Sequence, residues 1–252
     1  MLNDLINLNL FAFFLIFARV GTALSLVPGF SVSYMPPRMR LALALAISFV
    51  MMPPLAANLP VLPSSTILMA LLIVGEIIVG GFIGMIGRTL IGTLQTAGTL
   101  IAYSSSMANA LIQDPVAEQQ SSTVSGFLLT LGLVLIFVTD LHHLMLMSFA
   151  SSYEVFVPGA PLPVGDFSNH AGQLVMRSFA MGLQLASPFV IIGISFYIGL
   201  GLLGRLMPAL PVFFFGLPLQ LSIQIWVMTV AVSGILMVFL RYFEGTYSSF
   251  LP

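Results

Sequence analysis

Between Thr66 and Ala102 the chain carries only two ionisable side chains, Glu76 and Arg88, and almost every other position is apolar. A stretch of that kind has few homes. One crossing of a ~30 Å hydrocarbon layer needs about 20 apolar residues, so this run is longer than one span requires and must tilt, kink or project beyond the layer. Five further apolar runs surround it, at about 8–27, 41–55, 126–150, 174–203 and 219–242. The expected fold is therefore an all-α integral membrane protein of about six long helices in hairpins, forming one membrane domain over residues 1–252. A barrel is excluded, because the runs are continuous where a barrel strand alternates with period two. Charged residues make up 6 % of the chain and hydrophobic residues 59 %. A soluble surface carries about 25 % charged residues, so fifteen formal charges cannot cover a chain of this length.

The charges that remain are informative. Every basic residue is an arginine, the net charge is −1, and there is no cysteine. That removes disulfides and thiolate metal sites, and gives no basis for nucleic-acid binding. The N-terminus carries Asp4 and no basic region, so the first run reads as mature structure and not a cleaved signal. Arg38, Arg40, Arg88 and Arg205 fall in or beside the first, third and fifth loops. The positive-inside rule then puts those loops in the cytoplasm and both termini outside.

The longest polar interruption is 103–125, reading YSSSMANALIQDPVAEQQSSTVS, between the third and fourth runs. A segment this polar is tolerated at membrane depth only where it lines water or packs on protein. It is expected as a central loop, with Pro115 bending it and Met107 a flexible, polarisable contact within it.

Other residues carry a functional and a structural reading side by side. Gly80 and Gly84 stand one helical turn apart, and Gly84 one turn before Arg88, a spacing that lets helix backbones approach closely. G-x-x-G-R occurs in two runs, at Gly84–Arg88 and Gly201–Arg205, which hints at an internal repeat or at chance in a glycine-rich chain. Glu76 is either a proton-relay carboxylate or the structural partner of an arginine within another apolar run, such as Arg19; the pairing is favoured. Asp140, His142 and His143 form the densest ionisable cluster. Adjacent histidines leave a helix in different directions and no HExxH is present, so no metal is assigned and the cluster is read as an interfacial or subunit contact. No G-x-S-x-G supports a hydrolase, and no catalytic or cofactor-binding residue is assigned. A small-molecule secondary transporter remains the alternative, with Pro188 and the glycine breaks as its weak support.

Taken together, Arg19, Pro28-Gly29-Phe30, Pro36-Pro37-Arg38-Met39-Arg40, Gly75-Glu76-x-x-x-Gly80-x-x-x-Gly84, Gly98, Asp114-Pro115, Asp140-x-His142-His143, Ala186-x-Pro188, Leu203-Gly204-Arg205-x-x-Pro208 and Gly216-x-Pro218 follow one another in an order that resembles the FliR/SctT family of type III secretion export-gate proteins. The resemblance covers essentially the whole chain. It departs at Pro208-Ala209, Pro211-Val212 and Pro218-Leu219-Gln220, where relatives carry polar residues. It implies a fold like FliP-type and FliQ-type hairpins fused in a helical assembly around a channel. Implied partners are about five FliP and about four FliQ subunits, FlhB and FlhA, with membrane lipid around them and unfolded flagellar proteins in transit; implied cofactors are none. The implied place is the bacterial inner membrane, within the flagellar basal body. The loop 104–123 would be the channel plug, through Met107, Asn109, Gln113, Asp114, Pro115, Glu118 and Gln119. Arg19, Glu76, Gly80, Gly84, Arg88, Arg205 and Pro208 would serve helix packing and assembly.

Overall fold

The computed structural model describes residues 2–30, 35–55, 59–107, 111–114, 119–207 and 212–249. Among these, seven helices and one short hairpin follow in the order α1 (Leu2–Leu26), α2 (Pro37–Leu55), α3 (Thr66–Ser104), β1 (Leu111–Asp114), β2 (Gln119–Ser122), α4 (Thr123–Val138), α5 (Leu141–Val155), α6 (Val164–Leu206) and α7 (Val212–Ser248). The architecture is all-α apart from that hairpin. Four helices, α2, α3, α6 and α7, are long and apolar enough to cross a membrane, and the bent pair α4–α5 makes a fifth; the apolar part of α1, Leu10–Leu26, is shorter. The expected count of about six was thus approximate.

Local chemistry sets the boundaries. α1 stops where Pro28 follows, and Gly29 takes φ 88, a left-handed turn open to a residue without Cβ. α2 begins at Pro37, whose fixed φ suits the first helical position. The Pro36 carbonyl accepts from the N–H groups of Met39 at 3.0 Å and Arg40 at 3.2 Å.

Four expectations need correction. The fourth run is not one helix over 126–150: it breaks at Thr139-Asp140, where α4 and α5 meet at 73°. Asp140 holds φ 59 and ψ 13, a left-handed conformation that short polar side chains tolerate and that ends a helix. The fifth run begins ten residues earlier than 174, because Pro163 starts the turn. Its carbonyl accepts from Phe167 N–H at 3.0 Å, and Asp166 lies in the first turn, where the helix dipole favours a carboxylate. The sixth run begins at Val212, with Pro218 inside it, and extends to Ser248 beyond the expected 242. One missing N–H removes one bond from a helix of 37 residues, which its neighbours hold in place. Finally, the segment 103–125 is not all loop. β1 and β2 pair antiparallel, with Leu111 opposite Ser122 and Asp114 opposite Gln119. Pro115 disfavours the helical region for Asp114 and holds it extended.

The chain divides into two compact units. The first comprises Met1–Thr89, Ile136–Leu174 and Phe243–Pro252, and the second Leu90–Leu135 and Val175–Tyr242. In the first, Leu15, Ile16, Val20 and Leu24 of α1 are fully buried, as are Ile86, Met145, Phe149, Phe243 and Tyr247. In the second, Leu90, Leu94, Ala97, Leu128, Leu129, Ala186, Phe189 and Phe239 form the core.

Candidate functional site

Arg19 is the largest fully buried side chain of the first unit. Its Nε donates to Glu76 Oε2 at 2.6 Å and its Nη2 to Glu76 Oε1 at 3.0 Å, a bidentate pair. Nη2 also donates to the Phe156 carbonyl at 2.8 Å, and Nη1 to Ser152 Oγ at 3.1 Å. The guanidinium carbon lies 3.8 Å from the centre of the Tyr153 ring. Four of the five N–H groups of a guanidinium are thereby engaged. Both Glu76 oxygens face the same arginine, so the pair is neutral as a unit and joins α1, α3 and the end of α5. Sequence reasoning set Arg19 beside Glu76 but passed over Ser152 and Tyr153. The only signal for them was their place, just before a turn, in a run otherwise apolar.

Close backbone approach surrounds this pair. A Cβ on Gly80 would overlap the Arg19 carbonyl and the Thr22 hydroxyl. One on Gly84 would stand 2.8 Å from the Ala23 carbonyl, whereas one on Gly81 would meet nothing within 4 Å. The glycine face of α3 therefore packs directly on the α1 backbone. Arg88 and Arg205 are exposed.

In the second unit the polar segment is anchored at both stems. At the first stem, the Ser104 carbonyl accepts from Gln220 Nε2 at 2.8 Å. Ser106, at φ 59, shares a hydrogen bond with the Tyr197 hydroxyl at 2.8 Å and donates to Gln220 Oε1 at 3.2 Å. At the second stem, Ser122 Oγ accepts from Ser125 N–H at 3.1 Å, and Ser125 Oγ donates to the Gln95 carbonyl at 3.2 Å. Gly98 permits this, since any Cβ there would overlap the Ser125 backbone. Beneath the stems lies an apolar cavity of about 450 Å³, lined by Ser105, Met107, Val124, Phe127, Gln224 and Met228 among others. Gln220 and Gln224 are both buried, one turn apart on α7; that spacing in an apolar run was the legible signal for them, and it went unused.

Of the expected plug residues, Met107 lines the cavity, and Gln113, Asp114 and Gln119 lie in the strands. Asn109, Pro115 and Glu118, and likewise Pro208 of the packing set, lie outside the described residues.

Asp140, His142 and His143 stand at the α4–α5 bend, each offering a ligand atom within 4.8 Å of the others. The expectation that adjacent histidines diverge is corrected here. His142 stacks on Phe137 with ring centres 5.0 Å apart, and His143 follows it at 4.1 Å.

The family model for bacterial export proteins, family 1, matches residues 10–246. The chain belongs to this family. Among its relatives, the flagellar biosynthetic protein FliR of Caulobacter vibrioides is 35 % identical over 231 residues, covering 91 % of this chain and 92 % of the relative. The protein of the same name from Escherichia coli is 31 % identical over 215 residues, covering 83 % and 80 %. The Yop proteins translocation protein T of Yersinia pestis is 29 % identical over 177 residues, covering 68 % and 66 %. As a member of the family, the chain is a multi-pass membrane component of a bacterial export apparatus.

Proposed function

We propose that the chain is a non-enzymatic subunit of a type III protein export gate in the bacterial inner membrane, and that segment 104–123 is the movable plug of its channel. The relatives named for flagellar biosynthesis and for Yop translocation support the apparatus. The observation that carries the plug is the polar hairpin itself. Two strands of four residues each stand between two apolar helices, held by side-chain hydrogen bonds at their stems. A lone two-stranded hairpin is marginally stable, so it exchanges readily between two arrangements. The neutral Arg19–Glu76 pair supports an assembly role for Glu76 over a proton relay. The partners in this reading are FliP, FliQ, FlhB and FlhA, and the cargo is unfolded flagellar protein.

Deletion of 109–119 tests it. The gate, co-expressed with FliP and FliQ, assembles at unchanged native mass, and membranes containing it leak small ions. A tight membrane around an assembled gate rejects the plug. A monomer that ignores FliP and FliQ rejects the gate.

A further inference from the structure

We infer that Asp140, His142 and His143 form a site for one divalent transition-metal ion, Zn²⁺ by preference, at the α4–α5 bend. Three observations meet there. The candidate ligand atoms of all three side chains lie within 4.8 Å of one another, and His143 Nδ1 is already 3.7 Å from Asp140 Oδ1. Metal–nitrogen bonds of about 2.0–2.1 Å place tetrahedral ligands about 3.3 Å apart. Rotation of two exposed side chains closes that gap, since Asp140 and His143 are 76 % and 59 % exposed. Second, Nδ1 of His142 is buried and has no hydrogen-bond partner among the described residues. A buried imidazole nitrogen left without a partner calls for one. Third, the backbone presents the set. The left-handed Asp140 and the stacking of His142 on Phe137 hold side chains together that a straight helix would spread.

The donor set selects the ion. Two imidazoles and one carboxylate suit zinc, copper or nickel, whereas magnesium and calcium prefer oxygen throughout. Three protein ligands leave one tetrahedral position, for water or for a side chain of an adjoining subunit. A bound ion would tie the first turn of α5 to Asp140 at the bend. The site shares no residue with the hairpin, and its test does not depend on the plug.

The full chain, purified in detergent on a tag without histidine and stripped with chelator, is titrated with Co²⁺, whose visible absorption reports nitrogen and oxygen coordination; Zn²⁺ is then added as competitor. The inference expects saturation at one equivalent and displacement by Zn²⁺. D140N and H143A alter exposed side chains and keep helicity by circular dichroism, and each weakens binding at least tenfold. H170A changes the remaining histidine and leaves binding intact. Absence of saturation, equal binding by D140N/H143A and the parent chain, or loss of binding in H170A overturns the site.

Discussion

Arg19 and Glu76 face each other through two parallel hydrogen bonds, at 2.6 and 3.0 Å, with 1 % and 4 % of their side chains exposed. A charge this deep is stable only with its partner, and loss of one leaves the other uncompensated.

Glu76→Ala therefore costs about 3–5 kcal/mol, and Arg19→Ala a similar amount. The paired replacement Arg19→Met with Glu76→Leu recovers most of that loss, because apolar residues of similar volume remove both charges together. Thermal unfolding in detergent compares the parent chain, the two single variants and the paired replacement. A double variant no more stable than the single ones would show that the pair contributes more than mutual neutralisation.

Gly80→Ala and Gly81→Ala differ by one position and are opposite in sign. A methyl on Gly80 collides with the α1 backbone, which has no flexible end to yield, and costs about 1–3 kcal/mol or more. A methyl on Gly81 meets open space and gains up to about 1 kcal/mol of helix propensity. Stability measured on both variants separates packing from a general effect of glycine replacement.

Gln220→Leu leaves the Ser104 carbonyl without its side-chain donor and costs about 1–3 kcal/mol at that stem. Hydrogen exchange is the readout. Amides of β1 and β2 exchange faster than those of α3 in the parent chain, and faster again in the variant, while α3 is unchanged.

Cysteines at Gln113 and Gln120, opposite each other in the hairpin, form a disulfide on mild oxidation. Cysteines at Gln113 and Ser122 do so far less, being out of register. The natural chain has no cysteine to confuse the result. In the proposed gate, the oxidised 113–120 pair alters export and reductant restores it.

Asp140→Gly keeps the bend, and Asp140→Val loses it. A β-branched side chain at φ 59 costs about 1–2 kcal/mol, and glycine costs nothing in conformation. The two variants are compared by thermal unfolding in chelator, so that metal plays no part.

Much of this was legible in the residues because hydrophobic length is a one-dimensional property. The apolar runs, the prolines that end them and the scarcity of charge defined a helical membrane protein before any contact was known. The breaks were harder. Asp140 reads as an ordinary polar residue in an apolar run, and only its backbone conformation shows that the run turns by 73° there. The start of α6 was hidden because Val164–Gln173 is polar enough for a loop, although Asp166 in the first turn is a helix-favouring signal. The hairpin was hidden because β2, Gln-Gln-Ser-Ser, carries little β-propensity, and in β1 only Ile112 and the following Pro115 favour extension. Side-chain partners over long separations, such as Gln220 with Ser104, have no local signature at all.

The guanidinium of Arg19 also orders events in time. Its carboxylate partner lies 57 residues further along the chain, its hydroxyl partner 133, and its carbonyl partner 137. On the ribosome, α1 is therefore finished long before Ser152 and Phe156 exist. During that interval Glu76 is the one of these three partners already made. The last donors close only when the end of α5 arrives. A chain arrested before that point has the charge partner of its buried arginine but lacks two of the four hydrogen-bond acceptors.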